Sequence, residues 1–236
     1  MKCYAASVIC PANSMCSSRI TKAMRLLTPP APGSFRSLPL LPKAFRAPIS
    51  IAQLRNRSSA RAKTDGVKVR GYISCVLGCP FDGEIKPKAV ADVAKTLWDL
   101  GCYEISLGDT IGVGTPTKAK EMLRAVGAHV PLRSLAMHFH DTYGQALVNL
   151  YAGIEEGVHV IDSAAGGLGG CPFAPGATGN VATEDVVYML EGMGIRTGVD
   201  MQKLLAATNE ITRLIGRPPA SRVANALNAK RKRTAL

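Results

Sequence analysis

Two clusters of residues in this 236-residue chain have the types and spacing to do chemistry. In the first, His138 and His140 stand two apart in the run Leu135-Ala-Met-His-Phe-His140. Side chains two apart on a strand leave the same face, so the imidazoles make a natural pair of metal ligands; the alternative is a pair of hydrogen-bonded core histidines. Asp141 follows directly and could accept the second ring N–H of a ligating His, while Asn180 offers an amide oxygen to a hard cation. In the second cluster, Cys171 sits in the stretch Ile161–Asn180, which holds six Gly and two Pro. Gly lets the backbone approach a ligand closely and Pro172 fixes the exit, so the thiol would be presented on a shaped loop. Against this, a lone Cys is most often a small buried hydrophobe.

The elements that must position these residues repeat. Val67–Leu77 alternates and then turns apolar, as a buried parallel strand does, and Pro87 opens a helix with Val90, Val93, Ala94, Leu97 and Leu100 at helical spacing, closed by Gly101. Cys102–Leu107, Leu135–His140 and Val158–Ser163 read as three more strands. Helices are expected over 116–126, 145–157 and 181–192, with one or two amphipathic helices over 196–218. Four βα units of about 30 residues, with long polar loops after the strands and short connections before them, are the pattern of a (β/α) barrel, in which functional loops lie at the strand C-termini. Such a barrel needs eight units, and four are legible.

Residues 1–70 hold 13 Lys and Arg against a single acid, Asp65, and the rest of the chain holds 16 residues of each sign. The whole net charge of +12 therefore lies in one terminal segment, which argues against a nucleic-acid-binding domain. Residues 1–61 carry nine Ser and seven Pro, show no persistent period and are expected to be largely without order, although an Arg- and Ser-rich, acid-free start also suits an organellar transit peptide. Residues 62–228 form the expected barrel portion, and 229–236 a short basic solvated tail. Seven Cys without paired spacing suggest a reducing compartment, and no apolar run is long enough to span a bilayer.

Gly101–Pro116 with its Ser-Leu-Gly-Asp-Thr core, His138-Phe-His-Asp-Thr-Tyr-Gly-Gln-Ala146, Gly167-Leu-Gly-Gly-Cys-Pro172 and Gly179-Asn-Val-Ala-Thr-Glu-Asp185 together resemble 3-hydroxy-3-methylglutaryl-CoA lyases. The likeness runs from about Lys63 to Leu227 and corresponds to strands five to eight of that family's TIM (β/α)8 barrel. It implies cleavage of 3-hydroxy-3-methylglutaryl-CoA to acetyl-CoA and acetoacetate with Mg²⁺ or Mn²⁺, in a homo-oligomer, a dimer. By the motif, His138, His140 and Asn180 are the metal ligands, Cys171 is the catalytic loop cysteine and His138 takes part in proton transfer. Asp109 and Glu184 match polar positions near the site, each with the alternative of a loop or helix-start carboxylate. Ser106 and Ser74 are candidate substrate contacts at strand ends.

The chain departs from the family in two places. Ala165-Gly-Gly stands where the signature has Val-Ala-Gly, which keeps the thiol. The Arg-Asp-Gly motif of the family's first strand, with its metal-binding Asp, has no counterpart in residues 1–62. A truncated or mis-started chain whose first 60 residues are non-native is the expectation that follows. Cytoplasm is the compartment favoured, with the mitochondrial matrix as alternative. A related acyl-CoA or oxo-acid lyase or synthase, or a non-catalytic half-barrel, are the rival readings.

Overall fold

The computed structural model describes residues 6–9, 68–170 and 179–234, with only the backbone of 6–9. Four parallel strands, β2 (Arg70–Ile73), β3 (Glu104–Asp109), β4 (Leu135–Phe139) and β5 (Val160–Ile161), lie side by side in chain order. Between them run α1 (Pro87–Asp99), α2 (Pro116–Gly127) and α3 (Ala146–Glu155). After β5 come α4 (Thr183–Gly192), α5 (Met201–Leu214) and α6 (Arg222–Thr234). One further strand, β1 (Ala6–Ile9), adds to β2 antiparallel, pairing Ala6 with Ile73 and Ile9 with Arg70. It falls in the stretch expected to be without order, and the structure differs there; the other residues up to 67 lie outside the described ones.

The helices form where the sequence predicts them, because Pro caps and an apolar stripe agree. Pro87 and Pro116 occupy the first turn of α1 and α2, where a missing N–H costs nothing, and the residue before each is extended. Helix α1 buries Val90, Ala91, Val93, Ala94 and Leu97 against the sheet. Each Val or Leu of the stripe contributes about 1.5–3 kcal/mol on leaving water and each Ala less, so the stripe outweighs any single exposed pair on the outer face. Gly101, with φ of +89°, turns the chain from α1 into β3, a conformation that favours a residue without Cβ.

Strand register sorts the side chains into two faces. Tyr72 pairs with Ser106, Ser106 with Ala136, Ala136 with Val160, and Gly108 with His138. Alternation therefore puts Arg70, Tyr72, Glu104, Ser106, His138 and Asp162 on one face. Ile73, Ile105, Leu107, Leu135, Met137 and Phe139 fill the other, fully buried beneath the helices. One face of the sheet is thus the hydrophobic core, and the opposite face carries the polar chemistry.

Of two local expectations, the first is met by one helix and the second is corrected. Residues 196–218 hold a single helix, α5, started by Asp200, whose carboxylate accepts from Gln202 and Lys203 N–H at 2.8 and 3.1 Å. The basic stretch Ala229–Arg233 is not a free tail but the last part of α6. Ser221 caps that helix by accepting from Ala224 N–H at 2.9 Å, and Asp185 on α4 accepts from the Ser221 hydroxyl and from Val223 N–H. Local hydrogen bonding starts this helix without an apolar stripe to announce it.

Candidate functional site

His138 is the next-to-last residue of β4, and His140 just past the strand forms a backbone bridge with Asn180. The two rings stand 5.4 Å apart at 53°. Burial, and then the neighbouring His138, push His140 below the ordinary imidazole range, so its ring is neutral at neutral pH with a lone pair to give. Its buried Nδ1 has no hydrogen-bond partner. Asn180 donates from its amide nitrogen to Leu168 O at 2.9 Å, and its side chain also hydrogen-bonds the His140 ring. These donor types fit a hard divalent cation: two imidazoles, one of them with a buried Nδ1 that such an ion could satisfy, and the side-chain amide of Asn180. Among the described residues, no group of three or more His, Cys, Asp and Glu is placed to hold a metal.

Beside His138 lies a network that the sequence reading did not name. Arg70 grips Asp162 with both terminal nitrogens at 2.9 Å, and also bonds Glu104 and Tyr72, with its guanidinium 4.8 Å from the Tyr72 ring centre. Ser106 donates to Asp162 Oδ2 at 2.7 Å, and His138 Nδ1 stands 3.7 Å from the same oxygen. Burial opposes the charge on Asp162, but His138, Arg70 and Ser106 together hold its carboxyl well below the usual range. A signal existed: Arg70 and Tyr72 alternate on a strand otherwise apolar, and Asp162 ends the run Val160-Ile161. Nothing local joined residues 92 positions apart.

The other expected residues divide. Ser106 is in the network. Asp141 is not behind a ligating His, because its Oδ1 accepts from Ala146 N–H at 3.0 Å and so serves the start of α3. Asp109 is fully buried and accepts from Val113 and Gly114 N–H at 3.2 and 2.8 Å, closing the β3–α2 loop. Burial raises its pKa against the pull of those N–H groups. Ser74 stands one residue past β2.

Glu184 is fully buried, accepts from Gly166 N–H at 2.9 and 3.0 Å, and receives the Thr208 hydroxyl. It ties α4 and α5 to the root of the glycine stretch. Glu184→Ala leaves a buried N–H and a buried hydroxyl unmatched, at about 1–3 kcal/mol each. We expect a lowered denaturant midpoint for the full chain, with Glu184→Gln losing less, checked by urea unfolding.

Cys171 and its neighbours to 178 lie outside the described residues. The ends of that loop do not. A Cβ on Gly169 would meet the Asn180 side chain at 2.4 Å, and one on Gly179 would meet Gly169 O at 2.3 Å. Both glycines also have positive φ, +115° and +93°. The loop thus leaves and returns at Asn180, beside a cavity of about 420 Å³ lined by Asp141, Thr142, Tyr143, Gly167, Asn180 and Arg222.

Comparison with known proteins places the chain in a family. The model of the family described as HMGL-like matches residues 45–211. The chain is 59% identical over 165 residues to the human mitochondrial hydroxymethylglutaryl-CoA lyase, covering 70% of this chain and 51% of that protein. It is 57% identical over 169 residues to the 3-hydroxy-3-isohexenylglutaryl-CoA/hydroxy-methylglutaryl-CoA lyase of Pseudomonas aeruginosa, covering 72% and 56%. The chain thus spans about half the length of these curated relatives. The crystal structure of a hydroxymethylglutaryl-CoA lyase from Pseudomonas aeruginosa superposes with a TM-score of 0.74 at 54% identity, over 77% of this chain and 60% of that one. Four βα units in one parallel sheet, polar groups gathered on one face of it, and a family match across most of the length lead to one conclusion: this chain is a member of the HMGL-like family, with its TIM-barrel type of fold.

Proposed function

We propose that this chain cleaves 3-hydroxy-3-methylglutaryl-CoA to acetyl-CoA and acetoacetate in a reaction that requires Mg²⁺ or Mn²⁺. The observation that carries this reading is the convergence of His138, His140 and Asn180 at the mouth of the sheet, next to the two ends of the cysteine loop. When bound, a hard cation there supplies Lewis acidity to the hydroxyl and carboxylate oxygens of the substrate. His140, kept neutral by burial, and the Asn180 amide oxygen hold the position. His138 would give the same cation the lone pair of one ring nitrogen. Carbon–carbon cleavage leaves an enolate of the thioester that must be protonated, and Cys171 is the residue we assign to that role.

The relatives named mitochondrial suit the Arg- and Ser-rich first 60 residues, and a bacterial relative suits the cytoplasmic placement expected above. We propose the second, with a homodimer as the assembly, checked by light scattering. No helix among the described residues is long and apolar enough to cross a membrane.

A second reading, favoured by the name and 57% identity of the Pseudomonas aeruginosa relative, is that a 3-hydroxyglutaryl-CoA with a longer 3-substituent is also a substrate. The full chain assayed with both thioesters, with and without Mg²⁺ or Mn²⁺, tests the two readings together. Metal-stimulated release of acetyl-CoA, falling roughly 10²–10⁴-fold in Cys171→Ala, is the expected result. Folded protein without turnover would overturn the lyase reading and leave the non-catalytic half-barrel.

A further inference from the structure

We propose that Asp162, clamped by Arg70, is the positioning residue that fixes the orientation and proton placement of His138, so that its Nε2 is the nitrogen offered to a metal. This rests on the reading of His138 as a ligand.

The geometry leaves Asp162 little freedom. Its Oδ1 receives one terminal nitrogen of Arg70 at 2.9 Å, and its Oδ2 receives the other at 2.9 Å and the Ser106 hydroxyl at 2.7 Å. Arg70 is itself fixed from behind by Glu104 and Tyr72. A planar guanidinium held at both ends fixes a carboxylate in angle as well as in place, which a lysine would not do. The set ties β2 and β3 to the residue that follows β5. His138 on β4 closes the row, with Nδ1 3.7 Å from the oxygen that Ser106 and Arg70 hold still.

An ionised carboxylate only accepts, so the ring nitrogen facing it carries the proton. The other nitrogen then keeps the lone pair, with the centre of the His140 ring 5.4 Å from that of His138. In metal sites the tautomer of a ligating His is set in this way by what its second nitrogen meets. Asp141, the neighbour in sequence, is committed to Ala146 N–H and does not fill the role.

The alternative is an ion pair that only ties strands together. Two readouts separate it from a positioning role, and neither needs turnover. Long-range proton–nitrogen NMR of the full chain should show His138 protonated at Nδ1, and Asp162→Asn should move the proton to Nε2 in most molecules, because the amide can donate. Mn²⁺ affinity, read by the loss of free-ion paramagnetic resonance, should weaken roughly 10–100-fold in Asp162→Asn and stay within about twofold in Asp141→Asn. A chain with Asp162→Asn that keeps the Nδ1 proton and wild-type Mn²⁺ affinity overturns the proposal. Should that variant fail to fold, Arg70→Gln decides: unchanged Mn²⁺ affinity and an unchanged tautomer there overturn it equally. If the wild type takes up no Mn²⁺, the tautomer alone decides. Cleavage that fails while both readouts follow expectation counts against the lyase reading and not against this one.

Discussion

Replacing His140 by Ala should abolish Mn²⁺ binding in the micromolar-to-millimolar range and all metal-stimulated turnover, while the chain stays folded. The residue is 8% exposed and its Nδ1 is unpartnered, so removal leaves a small cavity and loses only the ring's contacts with the Thr110 backbone and the Asn180 side chain. The loss should exceed the roughly 10–100-fold that substitutions one layer out from a metal produce, because a donor itself is gone. Calorimetric titration of Mn²⁺ into wild type and variant measures it. His129 and His159 are exposed and serve as controls that should change nothing. Retained affinity in His140→Ala would remove His140 from the ligand set.

Gly179→Ala should produce the second large effect, by moving the loop instead of deleting a ligand. A Cβ there falls 2.3 Å from Gly169 O and 2.9 Å from Gly169 C, both backbone atoms, so no side chain can yield. The residue's φ of +93° adds strain of about 1–2 kcal/mol for any side chain. Gly179 also gives its carbonyl to Asp141 N–H at 3.0 Å, and Asn180 follows it directly. Relief of the clash therefore displaces Asn180 and the entry to Cys171 together. A shift of about 1 Å in a positioned group can cost 10²-fold in rate, and that is the loss expected in turnover, with a smaller change in urea midpoint. If turnover is unchanged, the packing of Gly179 on Gly169 does not position the site.

Much of this architecture is legible in the sequence, for physical reasons that differ by element. The helices α1 and α2 announce themselves because Pro at the first turn and a buried stripe act together. The His138–His140 pair is legible because alternation on a strand is rigid, and the rings do come together. Asp109 and Glu184 were open between a site role and a structural one. Their burial and their backbone N–H partners make them loop fasteners, a distinction that depends on which N–H groups fold back onto them. Asp141 was read as backing a ligating His because it is adjacent in sequence, but the nearer need was the first turn of α3. The partner of His138 is Asp162, 24 positions away, brought in by strand register. Helix α6 escaped notice because its polar composition hides a Ser221 cap whose support, Asp185, lies on another helix.

The claim beneath these expectations is that His138, His140 and Asn180 surround a single ion. Mn²⁺ added in trace amount to isotope-labelled full chain tests it most directly, since the ion broadens the resonances of nuclei close to it. The imidazole signals of His138 and His140 and the side-chain amide of Asn180 should vanish together at the lowest addition, while those of His129 and His159 persist. If the three signals fade independently, or survive while resonances elsewhere are lost, the ion binds at another place and the account is wrong.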